Sequence, residues 1–205
     1  MDNKEFDSLM LAAIAGESRN VEFKGPGSWS TKNPNLKFKT VRAILGMANL
    51  RDAGFVVIGV EESSTKTPNV LGLDHQELVT WHQDHVASVA VNFADPSVEF
   101  ELSQQSFQGK VLVLISVKEF NDYPVICKSD SAGILRKGAC YVRPRGQIQT
   151  IEIPSQTEMR ELIELATEKA LARLIATVET AGGSIVSRVT SHSSSQQFEL
   201  ERGGL

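Results

Sequence analysis

Two carboxylates and a lysine lie close together in the segment ESRNVEFK, which covers residues 17–24. Glu17 and Glu22 are five residues apart, and Lys24 follows Glu22 by two. Carboxylates are ligands for hard divalent cations, and a lysine ammonium can hold a phosphate oxygen as a point charge. The same side chains can equally form surface pairs that contribute about 0–1 kcal/mol. The segment alone therefore leaves open a metal site, a phosphate site, or solvated surface charge.

The pattern around these residues predicts the elements that position them. Val21 and Phe23 alternate with Glu22 and Lys24, which is typical of a half-buried strand and places the two charged side chains on one face. Apolar residues at helical spacing precede this strand over residues 5–15. A loop rich in Gly, Pro, Ser and Asn follows it. The first charged residues are thus expected between a helix and a strand.

The rest of the chain predicts further helices and strands in a mixed order. They are a helix over 36–50, a buried strand over 54–62, one long helix over 75–93, two strands over 97–120 with a turn at 108–110, a strand pair from 124–129 and 137–145, and a last helix that begins at a capping box of Ser155 and Glu158. This order favours an α+β fold with a mixed β-sheet flanked by helices.

Composition excludes some classes of protein and permits others. The 205 residues are 41% hydrophobic and 22% charged, with a net charge of −4, which argues against a nucleic-acid coat held by bulk charge. Basic residues nevertheless gather in two segments: Lys24, Lys32, Lys37, Lys39 and Arg42 in the first, and Lys128, Arg136, Lys137, Arg143 and Arg145 in the second. The sequence permits one basic face, and a scattered distribution over the surface is equally compatible with it.

The chain predicts one domain over residues 1–183, including the last helix, and a flexible Ser-rich tail over 184–205. No apolar run is long enough to span a membrane, and the polar N-terminus is unlike a signal peptide. Cys127 and Cys140 are therefore expected to be reduced thiols in a cytoplasmic protein. His82 and His85 have a spacing that metals use, but no four-ligand pattern surrounds them, so no zinc is expected.

An ordered set of motifs carries a resemblance to a known family. GESRNVEFK, AILGMANLRDAGFVVIGVEE, VLGLD and KGACYVRPRGQIQTIEIPSQTEMREL occur in this order, and together they resemble the Schlafen/AlbA-like domain family across about residues 5–165. The resemblance implies a nucleic-acid-directed α+β domain and a possible homodimer. Some members of the family are metal-dependent endoribonucleases that act on structured RNA such as tRNA, and others are DNA-binding modules.

The resemblance also implies a metal site. The acids that match the ribonuclease ligands are Glu17, Glu22 and an acid after the second strand, either Glu61 or Glu62, and Lys24 completes the catalytic set. These carboxylates suit Mg²⁺ or Mn²⁺, which would polarise a scissile phosphate. One departure from the family pattern is the turn Leu50-Arg51-Asp52-Ala53-Gly54, where Ala53 replaces a glycine that relatives often carry.

Eight residues are candidates for nucleic-acid contact: Lys24, Trp29, Lys37, Lys39, Arg42, Asn49, Arg143 and Arg145. Trp29 can stack on an unpaired base or fold back on the domain. Asn49 can contact a sugar or phosphate, but capping the preceding helix is the favoured interpretation. Arg143 can bind phosphate in a bidentate manner, or it can belong to a cationic face that protects an edge strand.

Three hypotheses for function follow from these observations. The first is a metal-dependent endoribonuclease, the second is a non-catalytic DNA- or RNA-binding regulatory module, and the third is a protein-interaction adaptor whose tail folds on a partner. The expected partners are nucleic acid and a second copy of the chain, with no membrane.

Overall fold

The computed structural model describes residues 1–16, 18–62, 67–147 and 149–180. Glu17 and the predicted tail over 184–205 lie outside the described residues. The chain divides into two compact units, Met1–Lys169 and Ala170–Leu205. The first unit contains the sheet and every residue discussed below as a candidate for function.

The elements alternate between helices and short strands along the chain. They are α1 (Asn3–Ile14), β1 (Val21–Lys24), α2 (Pro34–Ala48), β2 (Gly54–Ile58), β3 (Val60–Glu61), β4 (Asn69–Val70), α3 (His75–Leu78), α4 (Gln83–Ala90), β5 (Ala94–Asp95), β6 (Phe100–Phe107), β7 (Lys110–Val117), β8 (Ile126–Cys127), β9 (Tyr141–Val142), β10 (Ile151–Glu152) and α5 (Gln156–Thr180).

A four-stranded sheet in the order β1-β2-β7-β6 forms the centre of the first unit. β1 is parallel to β2, with Glu22 opposite Val56, whereas β2–β7 and β7–β6 are antiparallel. The predicted α+β class with a mixed sheet is confirmed. The predicted strand over 21–24 is also present, and it forms one edge of this sheet.

Both faces of the sheet are covered by apolar side chains, because successive residues of its strands point to opposite sides. On one face, Phe6 and Met10 of α1 pack with Val57 and Leu114. On the other, Ile44 of α2 belongs to the larger core cluster. β1 contributes Val21 and Phe23 to the α1 face, so Glu22 lies on the α2 face.

The prediction of a single helix over 75–93 is wrong, because this segment forms two helices, α3 and α4. The indole nitrogen of Trp81 donates a hydrogen bond of 2.9 Å to the Gly27 carbonyl, and its ring lies 5.2 Å from the ring of Trp29. The backbone N–H of Trp29 also donates to the Thr80 hydroxyl at 2.8 Å. These tertiary contacts with the 25–30 loop override the helical periodicity of the segment.

The strands around residues 124–145 pair differently from the prediction. Their direct pairing is limited to a bridge between Ile126 and Cys140. β8 pairs instead with β5, and β9 pairs with β10. A period-two pattern marks a strand without identifying its partner, and here β8 pairs with a strand about thirty residues earlier whereas β9 pairs with one about ten residues later.

The turn that departs from the family pattern is tight. Asp52 and Ala53 both have positive φ, 66° and 69°, a region in which residues with a Cβ are strained. Gly54 is needed for a different reason, since a Cβ at this position would collide with the Met47 side chain. The turn therefore forms without the second glycine that relatives often carry.

The last helix begins close to its predicted start. Its first turn follows Ser155, whose hydroxyl donates a hydrogen bond to the Glu158 carboxylate. Among the helix residues that the structure describes, only Leu162 and Leu165 are buried, whereas Met159 and Ile163 are exposed. The predicted apolar stripe is therefore narrower than the sequence pattern indicates.

Candidate functional site

Glu22 lies at the centre of a buried charge cluster. The residue is 1% exposed, although it belongs to an edge strand. Its Oε1 accepts a hydrogen bond of 2.5 Å from Lys24 Nζ, and its Oε2 lies 3.0 Å from Arg143 Nη1. Thr150 donates twice to Oε2, from its backbone N–H at 2.9 Å and from its hydroxyl at 2.5 Å. Both carboxylate oxygens are thus occupied by donors of the protein.

The same two cations also cover the free edge of β1. Arg143 Nε donates to the Arg19 carbonyl at 2.6 Å, and Arg143 Nη2 donates to the Val21 carbonyl. Lys24 Nζ donates to the Phe23 carbonyl at 3.1 Å. Alternate carbonyls of an edge strand point away from the sheet and need partners. Here side chains supply those partners where another strand would otherwise do so.

A reciprocal contact holds the 143–145 segment against β1. Arg19 Nε donates to the Arg143 carbonyl at 2.6 Å, which mirrors the bond from Arg143 to the Arg19 carbonyl. Arg19 also pairs with Glu161 at 3.0 Å, and Arg145 pairs with the same carboxylate at 3.2 Å. Arg143 is 4% exposed, so its guanidinium belongs to the interior of the unit.

The electrostatics of Glu22 favour its ionised form. Burial by itself would raise the pKa of Glu22, but the charges of Lys24 and Arg143 and the hydrogen bonds from Lys24 and Thr150 hold that pKa below its usual value. Burial lowers the pKa of Arg143, opposed by the charges of Glu22 and Glu62. Because a guanidinium has an intrinsic pKa far above neutrality, Arg143 remains charged.

Two residues of this cluster escaped the sequence analysis. Thr150 is completely buried and supplies two of the hydrogen bonds to Glu22. The Thr150 side chain lies against Gly46 of α2. A Cβ added at Gly46 would collide with Thr150 Cγ2 and lie only 2.8 Å from Thr150 Oγ1. A glycine inside an apolar helical pattern is the one sequence signal for such a close approach. Nothing in the segment around Thr150 marks its role.

The predicted metal ligands come together only in part. Glu62 is half-buried, accepts a hydrogen bond of 3.2 Å from Gln149, and acts electrostatically on Arg143 beside Glu22. Glu61 is exposed on β3, and Glu17 lies outside the described residues.

No group of three His, Cys, Asp or Glu side chains in the described ranges could hold a metal ion. The donor set around Glu22 does not fit Mg²⁺ or Mn²⁺ in this arrangement, because Lys24, Arg143 and Thr150 occupy its oxygens. The metal site therefore stays a prediction from the family resemblance.

The two cysteines are free thiols in apolar surroundings. Burial, together with the charge of Glu152, raises the pKa of Cys140 to about 11. Burial also raises the pKa of Cys127. Burial therefore favours the protonated form of both thiols, which is the less nucleophilic form.

Several predicted nucleic-acid contacts are built into the core. Trp29 is 9% exposed and stacks on Trp81, and Lys37 Nζ lies 5.7 Å from the centre of the Trp29 ring. Asn49 caps the end of α2, and its side-chain amide bonds the backbone of Val125 and the Tyr141 carbonyl. Neither Trp29 nor Asn49 presents its polar or aromatic surface to solvent.

The remaining predicted contacts lie nearer the surface. Lys39 and Arg145 are exposed, and Arg42 is half-buried. Arg42 lies one helical turn after Lys39 on the same side of α2.

A cleft of about 590 Å³ opens beside Arg42. Its walls are α2, the segment 130–136 and β10, and it brings Arg42 from the first basic segment next to Arg136 from the second. Arg136 pairs with Glu152, while the Tyr141 hydroxyl bonds the backbone of residues 134 and 136. We call this opening the Arg42 cleft.

A second cleft, of about 260 Å³, is lined by four arginines, but acidic residues of α5 share it. Glu161 pairs with Arg19 and Arg145, and Glu168 holds Arg51 through two bonds of 2.7 and 3.0 Å. The guanidiniums of this second cleft are consequently neutralised within the unit.

Comparison with models of known protein families shows to which family the chain belongs. The model of the family described as Schlafen, AlbA_2 matches residues 17–152, which include Glu22, the Arg42 cleft and both basic segments. The chain belongs to the Schlafen AlbA_2 family. The resemblance seen in the sequence motifs is thereby confirmed.

Solved structures show weaker similarity to this Schlafen AlbA_2 chain. One is the DIP2311 protein from Corynebacterium diphtheriae, with 16% identity and a TM-score of 0.48 over 73% of this chain and 27% of that one. Another is the N-terminal domain of a protein related to the ATP-dependent DNA helicase RecG from Nitrosomonas europaea, with 18% identity and a TM-score of 0.46 over 76% of this chain and 99% of that domain. The chain thus spans about a quarter of DIP2311. No curated protein matches it.

Within the part of this Schlafen AlbA_2 chain that the structure describes, no helix has both the length and the apolar character needed to cross a membrane.

Proposed function

We propose that this Schlafen AlbA_2 domain is a nucleic-acid-binding module that contacts phosphates at the Arg42 cleft. One observation carries the proposal: two basic segments about ninety residues apart in the chain supply Arg42 and Arg136 to the same opening. Lys39 on α2 and Lys137 beside Arg136 are both exposed and extend the positive surface. Phosphate contacts of this kind supply most of the sequence-independent affinity of nucleic-acid-binding proteins.

The cations of the buried cluster around Glu22 are already paired within the protein, which supports the choice of the Arg42 cleft as the phosphate-binding site. Lys24 and Arg143 were predicted to bind phosphate, but both pair with Glu22 and with carbonyls of β1. A phosphate there would have to displace a buried carboxylate. Arg136 at the Arg42 cleft also pairs with a carboxylate, that of Glu152, but this pair is exposed, and exposed pairs contribute little to stability.

Salt titration of nucleic-acid binding tests this proposal. Binding of a labelled RNA or DNA strand, measured by fluorescence anisotropy, is expected to weaken steeply as salt rises. Arg42→Gln should lower the slope of log K against log salt by about 1. The matched control is Arg160→Gln, which removes the same charge from an exposed arginine on α5 outside both clefts. Binding that is absent, or that ignores salt, would refute the proposal.

Endoribonuclease activity is a second candidate, and one observation favours it. Glu22 and Glu62 are forty residues apart in the chain, and the charges of both raise the pKa of Arg143, which supports a shared location for two of the predicted acids. Incubation of tRNA with the protein and Mn²⁺ or Mg²⁺ would test the activity. Loss of cleavage in Glu62→Gln, with cleavage kept in Glu164→Gln, would support it. Intact RNA with wild type across both metals would reject it.

The remaining hypotheses keep their status as predictions. The adaptor hypothesis depends on the tail over 184–205, outside the described residues, and deletion of that tail should abolish a partner complex if it is right. Homodimerisation is a separate expectation from the family, and light scattering after size-exclusion chromatography measures it directly.

A further inference from the structure

Arg42 differs from five other arginines of the first unit in its hydrogen bonding. Its Nε is enclosed and has no hydrogen-bond partner among the described residues, and no carboxylate among them pairs with its guanidinium. Five others are held by carboxylates: Arg19, Arg51, Arg136, Arg143 and Arg145. An enclosed N–H without an acceptor is costly. Arg42 as a whole is half-buried and lines the opening, so a ligand in the cleft is expected to meet the accessible part of its side chain.

The charges around the cleft limit what this acceptor can be. Glu152 is bound to Arg136, and Asp130 accepts a hydrogen bond of 2.9 Å from the Lys137 backbone. Arg42 is then the cation of the lining without a carboxylate partner among the described residues. With two arginines and two carboxylates, the lining is formally neutral, so it suits a singly charged phosphodiester better than a terminal phosphate, which carries more than one negative charge.

The walls of the cleft also offer apolar surface. Ile134 and Ile151 are half-buried and line the opening beside Leu135. The turn at one wall is closed by a bridge between Ser131 and Leu135, with positive φ at Ala132 and Gly133. A volume of about 590 Å³ lies in the range of sites for small organic ligands, about 300–1,000 Å³. This space and its walls suit a planar base attached to the phosphodiester.

We infer that the Arg42 cleft receives one unpaired nucleotide of a strand, with its phosphodiester on Arg42 and its base against Ile134 and Ile151. The inference rests on the proposed nucleic-acid-binding function and narrows it to single-stranded substrate. A base inside a duplex is paired and stacked, so it cannot enter such a cleft without leaving its helix.

The first experiment compares a single strand with the duplex of the same sequence by fluorescence anisotropy. Wild type should bind the single strand more tightly, and Arg42→Gln should lose about tenfold in affinity for it, the effect of one hydrogen bond to a charged group. Ile134→Ala should weaken binding of the single strand and leave the duplex unaffected. Val79→Ala, a truncation of an apolar residue that is 50% exposed elsewhere on the surface, is the matched control.

The second experiment uses a dinucleoside monophosphate, which carries one phosphodiester and little long-range charge. Its addition should shift the Nε–H signal of Arg42 in a ¹H–¹⁵N spectrum, and inorganic phosphate at equal concentration should shift it less. An equal shift by inorganic phosphate would overturn the role of the base.

The two proposals fail in distinguishable ways. If single strand and duplex bind equally and Arg42→Gln weakens both, the nucleotide inference is wrong and the proposed function stands. If the dinucleotide shifts Arg42 but no strand binds, the cleft takes nucleotides and the proposed function is wrong. If strands bind and neither Arg42→Gln nor the dinucleotide has any effect at this cleft, the inference is overturned and binding occurs elsewhere.

Discussion

Arg143 and Arg42 both come from basic segments of the sequence, and they end in opposite environments. Arg143 contacts the Glu22 carboxylate and two carbonyls of the β1 region within the interior. Arg42 lines an open cleft, and its enclosed Nε has no acceptor among the residues described. Arg143, with its hydrogen bonds saturated, supports the fold, whereas Arg42 lines an opening without a carboxylate partner among the described residues, and this difference is the reason that we propose Arg42 for binding.

The largest expected effect is the replacement Glu22→Gln. It leaves the buried Arg143 and the neighbouring Lys24 without their counter-charge, and the loss of one member of a buried ion pair costs about 3–5 kcal/mol. Chemical denaturation should show this decrease in the free energy of unfolding. Glu61→Gln, at an exposed position on β3, should change it by less than about 0.5 kcal/mol. Similar values for the two variants would contradict the structural role of Glu22.

Gly46→Ala should have the next largest effect. The added methyl group collides with Thr150 and displaces a donor to Glu22, and overpacking of this kind costs about 1–3 kcal/mol. Thr150→Ser removes the Cγ2 atom that the new methyl group meets, so the double variant should recover part of the loss. A double-mutant cycle measures this coupling. Strict additivity would show that Gly46 does not act through Thr150.

Acid should destabilise the buried cluster around Glu22. The charges of Lys24 and Arg143 outweigh the effect of burial and hold the pKa of Glu22 in the folded protein below its ordinary value of 4.5. The contribution of its ionised form is therefore present above about pH 4.5 and is lost as the pH falls through the folded-state pKa. Unfolding measured from neutral to acid pH should show a steeper loss for wild type than for Glu22→Gln. Parallel curves would place the acid sensitivity at other carboxylates.

Arg42→Gln should have the smallest effect on stability, within about 0.5 kcal/mol, because no described partner loses a hydrogen bond. The same variant should lose nucleic-acid affinity, so the two measurements together separate a binding residue from a structural one. If Arg42→Gln greatly lowered the free energy of unfolding and left binding unchanged, Arg42 would be a structural residue like Arg143.

Local patterns in the sequence predicted much of the fold. The alternation in 21–24 identified β1, and the turn at Gln108 and Gly109 joins β6 to β7, with positive φ at both residues. The break between α3 and α4 could not be predicted in this way, because it depends on the contact of Trp81 with Trp29 and Gly27. Strand partners such as β5 with β8 likewise depend on pairing between segments about thirty residues apart.

The site was less predictable than the fold. The sequence motifs singled out Glu22, Lys24 and Arg143 as ligand contacts, and in the structure these three side chains pair with one another. Charge pattern alone cannot tell a ligand-binding cation from one that is already paired. Thr150 has no local signal at all. Which arginine keeps unused donors depends on the three-dimensional position of every carboxylate in the unit.

The side chains of Arg143 and Lys24 that cover the free edge of β1 limit how copies of the protein can assemble. Arg143 and Lys24 occupy the outward carbonyls of Arg19, Val21 and Phe23, which are the acceptors that an incoming strand from another molecule would need. The central sheet is therefore closed to extension on this side. Two copies of the chain that associate must do so through side-chain surfaces or at another margin, and a continuous intermolecular sheet cannot grow from β1.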